Sequence, residues 1–505
     1  MVPISKIMLY LTVFMTGAVV MVLELLGTRI IAPFYGNGLV VWASLISVTL
    51  VSLALGYFIG GWFADALQGQ GLNFLLFLSA FSVLLIPHVH ASVLLWSEGL
   101  GMHFGALASA TLLFMPALVF LGMVSPLAVR ISGKHAEKIG SVAGNLYATS
   151  TIGSVCGTLS LGFLLFPYCG SSEILKFSAF LLLACGLLIT QRFGPGLISF
   201  SLVIGAFGFI DTQTWSPADR NPSQNGFRLI EAKESLYGWV RVLDNRRGDS
   251  RLLASDASVI GAATLSSNQN LLAYQDIVQL LPRIRPEIRR ALLIGQGAGH
   301  MAMQLRDRFG IRTDTIEIDP VVDQYARKYF GFNPTGTTLI GDGRYFIRKI
   351  EGPYDLIIHD CFTGGSEPTH LLTVETLTLL RDKLSDGGML ALNFVGMLDR
   401  PDHAALASVS RTFSAVFPVV SLYQSEPGES FNDFVFLGSL APLPEQNNLR
   451  SEDIEWLSAR RLDLSEQDGV VLTDDYNPLE SLQFSKAEHY RKLVRAWLGD
   501  AMIIR

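Results

Sequence analysis

Through residue 211 the chain carries apolar stretches with almost no polar relief, at about 7–27, 39–62, 73–95, 105–125, 143–166 and 174–190. Each is close to the 20 or so residues that span a bilayer's hydrocarbon core at 1.5 Å per residue. A seventh run, about 196–210, is short. No small-residue cleavage pattern follows the first run, which contains Glu24 behind Lys6, so it reads as a retained helix. After a polar stretch the texture changes. Short β-like runs at 227–231, 237–243 and 250–255 predict a small antiparallel sheet. From 270 helix and strand alternate, with helices at 270–282, 299–309, 320–330, 343–350, 373–384 and 401–416. The strands between them are 291–295, 313–319, 337–342, 354–360 and 388–394. That alternation predicts a parallel, doubly wound sheet, whose ligands bind at the carboxyl ends of the strands. The expected division is a polytopic helical membrane domain over 1–211, a linker over 212–226, a small β-sheet subdomain over 227–269 and an α/β domain over 270–505.

Composition agrees with two modules. Residues 1–211 hold seven Lys/Arg and six Asp/Glu, against 31 and 38 in the remaining 294. The second figure is ordinary for a soluble domain; the first is not. A net charge of −6 with no Lys/Arg-rich run leaves no basic face for nucleic acid. The four cysteines show no CxxC spacing and the nine histidines no HExxH, so neither a structural metal nor metal catalysis is expected. The loop 126–142, with Arg130, Lys134 and Lys138, should face the cytoplasm. Seven full spans would then put the α/β module outside. A cytosolic cofactor requires the reverse, so either the seventh run is interfacial or re-entrant or the charge rule is overruled. Glu24 and Arg29 read as a structural pair near the interface, with a polar substrate pocket as the alternative. Gly56–Gly61 and Gly153–Gly157 read as close helix packing.

The chemistry is expected where strands end. The first α/β strand runs into Gly295-Gln296-Gly297-Ala298-Gly299, a turn that lets a ligand approach backbone at a helix N-terminus. Glu317-Ile318-Asp319 follows about 20 residues on, placed for ribose hydroxyls, and Gly341-Asp342-Gly343 ends the third strand, where Asp342 could take an adenine amino group or cap the next helix. Asp360 ends the fourth. Together they point to an adenosine nucleoside. Cys361 lacks a visible activating partner, and His300, His359 and His370 read as supporting groups. Asp474 and Asp475 either reach the site or stabilise a turn before Pro478.

Over about 225–440 the sequence resembles the polyamine aminopropyltransferases, or spermidine synthases, and more closely their membrane-fused branch. Tyr274-Gln275-Asp276 resembles the substrate gate, Gly295–Gly299 the cofactor loop, Glu317-Ile318-Asp319 the ribose-binding segment, Gly341-Asp342-Gly343 the adenine-binding loop, and Asp355–Asp360 the strand that ends in the catalytic Asp. The resemblance implies a Rossmann-like fold of class I methyltransferase type. It makes Asp360 and Tyr274 catalytic, Gly295, Gly297, Gly299, Glu317, Asp342 and Gly343 cofactor-binding, and Gln275, Asp276 and Tyr237 substrate-binding. It further implies transfer of a propylamine group from decarboxylated S-adenosylmethionine to a polyamine acceptor, releasing methylthioadenosine, with no metal. A homodimer, contact with membrane lipid and a bacterial inner (plasma) membrane with the catalytic domain cytoplasmic are expected on the same basis. An alkylammonium of pKa about 10.4 lies about three units above neutral pH, so freeing its lone pair costs about 4 kcal/mol, which calls for a general base such as Asp360. Two departures leave the substrates open: Ala298 stands where soluble members carry an Asp in the glycine loop, and Thr363 where they carry a second acceptor-binding Asp. Methyl or aminocarboxypropyl transfer from intact S-adenosylmethionine to a membrane-resident amine is one alternative. A polyamine transporter or sensor with a nucleoside-binding module is another.

Overall fold

The computed structural model describes residues 5–36, 38–66, 70–133, 139–190, 225–362, 367–399, 403–442, 448–464 and 469–500. The chain divides into two compact units, 1–220 with 504–505 and 221–503.

The first unit is helical: α1 (Lys6–Tyr35), α2 (Leu39–Ala66), α3 (Leu72–Ser97), α4 (Gly101–Gly133), α5 (Ile139–Ser160) and α6 (Ser171–Ile189). Six of the apolar runs thus become helices; the seventh lies outside the described residues. Among the described residues, five helical stretches are long and apolar enough to cross a membrane. One of them, Leu72–Ser132, is folded at Gly101 (φ +75°) so that α3 and α4 pack side by side. Helices α1 and α5 meet closely, and a Cβ on Gly153 would fall 2.0 Å from the Phe14 carbonyl oxygen. Only a residue without a side chain lets those backbones meet.

The second unit opens with an antiparallel sheet, β1 (Arg228–Glu234), β2 (Trp239–Asn245), β3 (Ser250–Ser255) and β4 (Ser258–Thr264), in that spatial order. The pattern reading missed β4. Its run of Gly261, Ala262 and Ala263 has little strand propensity, and a two-residue turn at Asp256 (φ +47°) and Ala257 folds it onto β3.

The larger sheet is built from β5 (Arg290–Ile294), β6 (Arg312–Glu317), β7 (Thr338–Ile340), β8 (Tyr354–His359), β9 (Leu384–Met397), β10 (Val419–Gln424), β11 (Phe431–Ser439) and β12 (Arg461–Leu462). Its order is β12-β10-β11-β9-β8-β5-β6-β7. The five strands β5 to β9 run parallel as expected, and β11, β10 and β12 add an antiparallel edge that the alternation did not announce. The helices are α7 (Tyr274–Ile284), α8 (His300–Phe309), α9 (Pro320–Phe330), α10 (Gly343–Lys349), α11 (Val374–Arg381), α12 (His403–Val416), α13 (Ser451–Ser458), α14 (Leu479–Leu482) and α15 (Phe484–Leu498). Alternate residues of β5 serve opposite cores: Ala291 and Leu293 pack with Ile277, Leu281 and Met301, while Leu292 and Ile294 pack with Leu390, Leu392 and Leu406. Both faces of the strand are therefore buried, as a doubly wound sheet requires.

The last helix is pinned by a buried ion pair. Lys486 Nζ lies 2.8 Å from Glu367 Oε2, and the two side chains are 1% and 2% exposed. Lys486 also donates to the Val395 carbonyl at 3.0 Å, and the Val395 amide donates to Glu367 Oε1 at 2.9 Å. Breaking such a pair on one side strands a buried charge, at about 3–5 kcal/mol. Lys486→Met alone should therefore lower the melting temperature of the solubilised protein sharply, whereas the Glu367→Leu, Lys486→Met double variant should recover most of the loss. Equal melting of the Lys486→Met variant and wild type contradicts this.

Candidate active site

Strand order fixes where a site can form. From β5 the chain moves outward through β6 and β7, then crosses back to β8 on the other side of β5. At that reversal the loops after β5 and β8 diverge and leave a crevice. The structure has a cavity of about 320 Å³ there, lined by Gly295, Gly297, Glu317, Gly341, Asp342, Gly343 and Asp360 among others. Gly295 (φ +86°) is forced by the crossing itself, since a Cβ there would lie 2.0 Å from the Asp360 carbonyl oxygen.

On the glycine-loop side, Glu317 Oε2 accepts from the amides of Gln296 (3.1 Å) and Gly297 (3.4 Å), and Oε1 accepts from the Asp319 amide (3.0 Å). Burial pushes this carboxyl up to about 7, against the pull of those amides. Asp319 faces away: it caps α9 through the Val321 amide and accepts from the Ser235 hydroxyl at 2.5 Å. Of the two roles weighed for Asp342 the structure shows the cap, with Oδ1 accepting from the Tyr345 amide at 2.8 Å at the start of α10, while Oδ2 lies 3.3 Å from His370 Nε2 at the cavity wall.

At the other end stands Asp360. The Tyr274 hydroxyl donates to Asp360 Oδ2 at 2.5 Å, and Asn393 Nδ2 donates to Oδ1 at 3.0 Å. Burial raises the carboxyl above its ordinary range, and both hydrogen bonds oppose the rise. The Tyr274 phenol, buried beside that charge, is driven well up and stays protonated. Cys361 lines the same cavity, and burial with the nearby charges of Asp360, Glu317 and Asp342 holds its thiol well above its ordinary range, which disfavours the thiolate.

Two residues here were not anticipated. Asn393 on β9 and Asp433 on β11 line the cavity, and Asn393 Nδ2 reaches Asp433 Oδ1 at 3.4 Å. The strand register, Asp433 opposite Val395 and Val435 opposite Asn393, puts both side chains on one face of the sheet. Burial pushes Asp433 up to about 7, with the Asp360 charge adding to the rise.

The remaining candidates lie elsewhere. Gln275 is buried beside the site and donates to the Tyr274 hydroxyl at 3.3 Å, so it positions that residue without facing the cavity. Asp276 is exposed on the outer side of α7, under the influence of Arg308 and Arg460, and Tyr237 is exposed in the turn between β1 and β2. Neither lines the cavity, nor does Gly299, which ends the loop as the N-cap of α8. Ala298 is turned the other way, with its methyl packed on Gly261 of β4. His300 bonds Asn268 and His359 is fully buried, both held down to about 4 by burial. Asp474 pairs with Arg344 and accepts from Thr373, bracing a turn away from the cavity. Thr363 lies outside the described residues.

A known family matches this framework. The Spermine/spermidine synthase domain matches residues 272–426. A polyamine aminopropyltransferase of Vibrio vulnificus (strain CMCP6) is 31% identical over 277 residues, 52% of this chain and 88% of that protein. An N-terminal histidine N-methyltransferase of Emericella nidulans is 31% identical over 239 residues, and the match spans 42% of each chain. A probable spermidine synthase from Corynebacterium glutamicum ATCC 13032 superposes over 49% of this chain and 95% of its own, at 20% identity and a TM-score of 0.42. The site is that of an enzyme transferring alkyl groups. The chain belongs to the polyamine aminopropyltransferase (spermidine synthase) family.

The buried acid at 433 has a measurable signature. An acid whose folded pKa is raised from 3.8 to about 7 keeps a proton that the unfolded chain sheds. Its stabilising effect is complete below about pH 4 and is lost as pH rises through 7, each unit being worth about 1.4 kcal/mol. Asp433→Asn, which still offers Asn393 an acceptor oxygen, should melt with a smaller decline between about pH 5 and pH 8 than the wild type shows. Parallel curves refute this.

Proposed function

We propose that this chain is a membrane-anchored aminopropyltransferase that moves a propylamine group from decarboxylated S-adenosylmethionine to an amine acceptor. The observation that carries the reading is the Tyr274–Asp360 hydrogen bond of 2.5 Å, standing across one cavity from the glycine turn and Glu317. That side offers backbone at Gly295 and Gly297 and carboxylates at Glu317 and Asp342, which suit the hydroxyls and amino group of an adenosine and attract a sulfonium cation. At the Asp360 end the acceptor nitrogen's lone pair would form the new C–N bond while the C–S bond breaks, its electron pair staying on sulfur as a thioether. Asp360 takes the proton that the nitrogen sheds, and Tyr274, which remains protonated, fixes the carboxylate that receives it. Holding the two reactants together supplies the proximity contribution. The five long apolar helices support membrane anchoring, with transfer on the cytoplasmic side where such a co-substrate is made.

A second reading, methyl transfer from intact S-adenosylmethionine, is favoured by the relative whose name is a histidine N-methyltransferase. It predicts that label in the methyl group of that sulfonium passes to the acceptor.

Under the lead reading Asp360→Asn should cut turnover by about two to four orders of magnitude, the usual worth of a general base, with sulfonium affinity little altered. Unchanged turnover in that variant would remove Asp360 from the mechanism.

A further inference from the structure

Beyond Asp360 the cavity continues into a region whose makeup differs from the glycine-loop side. Its wall carries Phe362, Val395, Phe431, Tyr490 and Trp497. Three of the aromatic members touch one another: the Phe362 and Tyr490 rings meet edge to face with centroids 5.2 Å apart, and Phe431 lies 6.0 Å from Tyr490. Tyr490 is fixed by accepting a hydrogen bond from the Val259 amide at 3.0 Å. Tyr490 and Trp497 come from α15, the helix anchored by the Lys486–Glu367 pair, so this wall is a built surface.

At the junction of this wall with Asp360 an acceptor atom is left over. Asn393 donates Nδ2 to both Asp360 and Asp433, at 3.0 and 3.4 Å, which fixes the orientation of its amide. Its Oδ1 is then an acceptor, buried in a side chain only 8% exposed, and it has no hydrogen-bond partner among the described residues. A buried acceptor without a donor is costly, and a ligand N–H would satisfy it. The carboxylates of Asp360 and Asp433 and the Asn393 amide that bridges them thus line the cavity together. An ammonium or amine nitrogen has the matching set of donors. Farther along, the described wall offers no carboxylate for a second cation.

We propose that Asp433 and Asn393 are specificity-determining residues that, with Asp360, cradle a single amine whose remaining body is apolar, so that the preferred acceptor is a monoamine on an aromatic or hydrophobic arm and not a linear diamine. The inference rests on the reading of this cavity as the place where an amine is alkylated, and it narrows the acceptor class. Asp433 takes over, from the opposite strand, the anchoring of the amine that the resemblance would assign to the position of Thr363. The aromatic wall supplies the area and ring faces that favour an apolar arm and a nearby cation.

The test measures acceptor binding independently of turnover. The full chain in detergent micelles, saturated with S-adenosylmethionine or its decarboxylated form, is titrated calorimetrically with 2-phenylethylamine and with 1,4-diaminobutane. The phenylethylamine is expected to bind about tenfold more tightly or better. Asp433→Asn and Asn393→Ala should each weaken it by about tenfold while sulfonium binding stays within about twofold of wild type, which also certifies folding. Tighter binding of the diamine, or unchanged phenylethylamine binding in both variants, overturns the proposal. Phenylethylamine binding as expected but with no alkylated product from either sulfonium would support the cradle and sink the transfer reading instead.

Discussion

The proposed transfer depends on keeping a carboxylate inside the protein and still able to accept a proton. Burial alone would neutralise Asp360. The Tyr274 hydroxyl and the Asn393 amide reverse part of that penalty by donating to its two oxygens, one from a helix and the other from a central strand. The sheet crossing beside Gly295 sets where the carboxylate stands, because backbone of the glycine turn and of Asp360 meet with no room for a side chain between them. Moving either would shift the carboxylate relative to the glycine turn and Glu317.

The same economy of burial organises the rest of the cavity. Glu317 and Asp433 are both held near neutrality by their surroundings, at opposite ends, and each is tied to backbone or amide donors. The C-terminal helix lines the Asp433 end with aromatic rings and is itself fastened by a buried ion pair. Residues from the first strand of the sheet to the last helix of the chain therefore share one cavity, and its chemistry requires the whole second unit to be folded.

Much of this was legible in the sequence because parallel strands announce their ends. Alternation of apolar runs with helical stretches located β5, β6, β7 and β8, and the residues that follow them, Gly295, Glu317, Asp342 and Asp360, line the cavity. Neighbours of those residues were harder to read. Gln275 and Asp276 adjoin Tyr274 in sequence, but each helical step turns about 100°, so one packs behind the tyrosine and the other leaves the site. Ala298 sits inside the glycine motif, yet its methyl faces β4, a strand whose small residues gave no pattern. Asn393 and Asp433 were invisible for a different reason. They lie within β9 and β11, and only the antiparallel register of those strands places them beside Asp360.

The most direct measurement is the identity of the nucleoside released when the purified protein, in lipid, is given each sulfonium separately with a panel of amines and lipid extract. Mass spectrometry should find methylthioadenosine from decarboxylated S-adenosylmethionine. S-adenosylhomocysteine from the intact form, with nothing from the decarboxylated one, would contradict aminopropyl transfer and make the protein a methyltransferase.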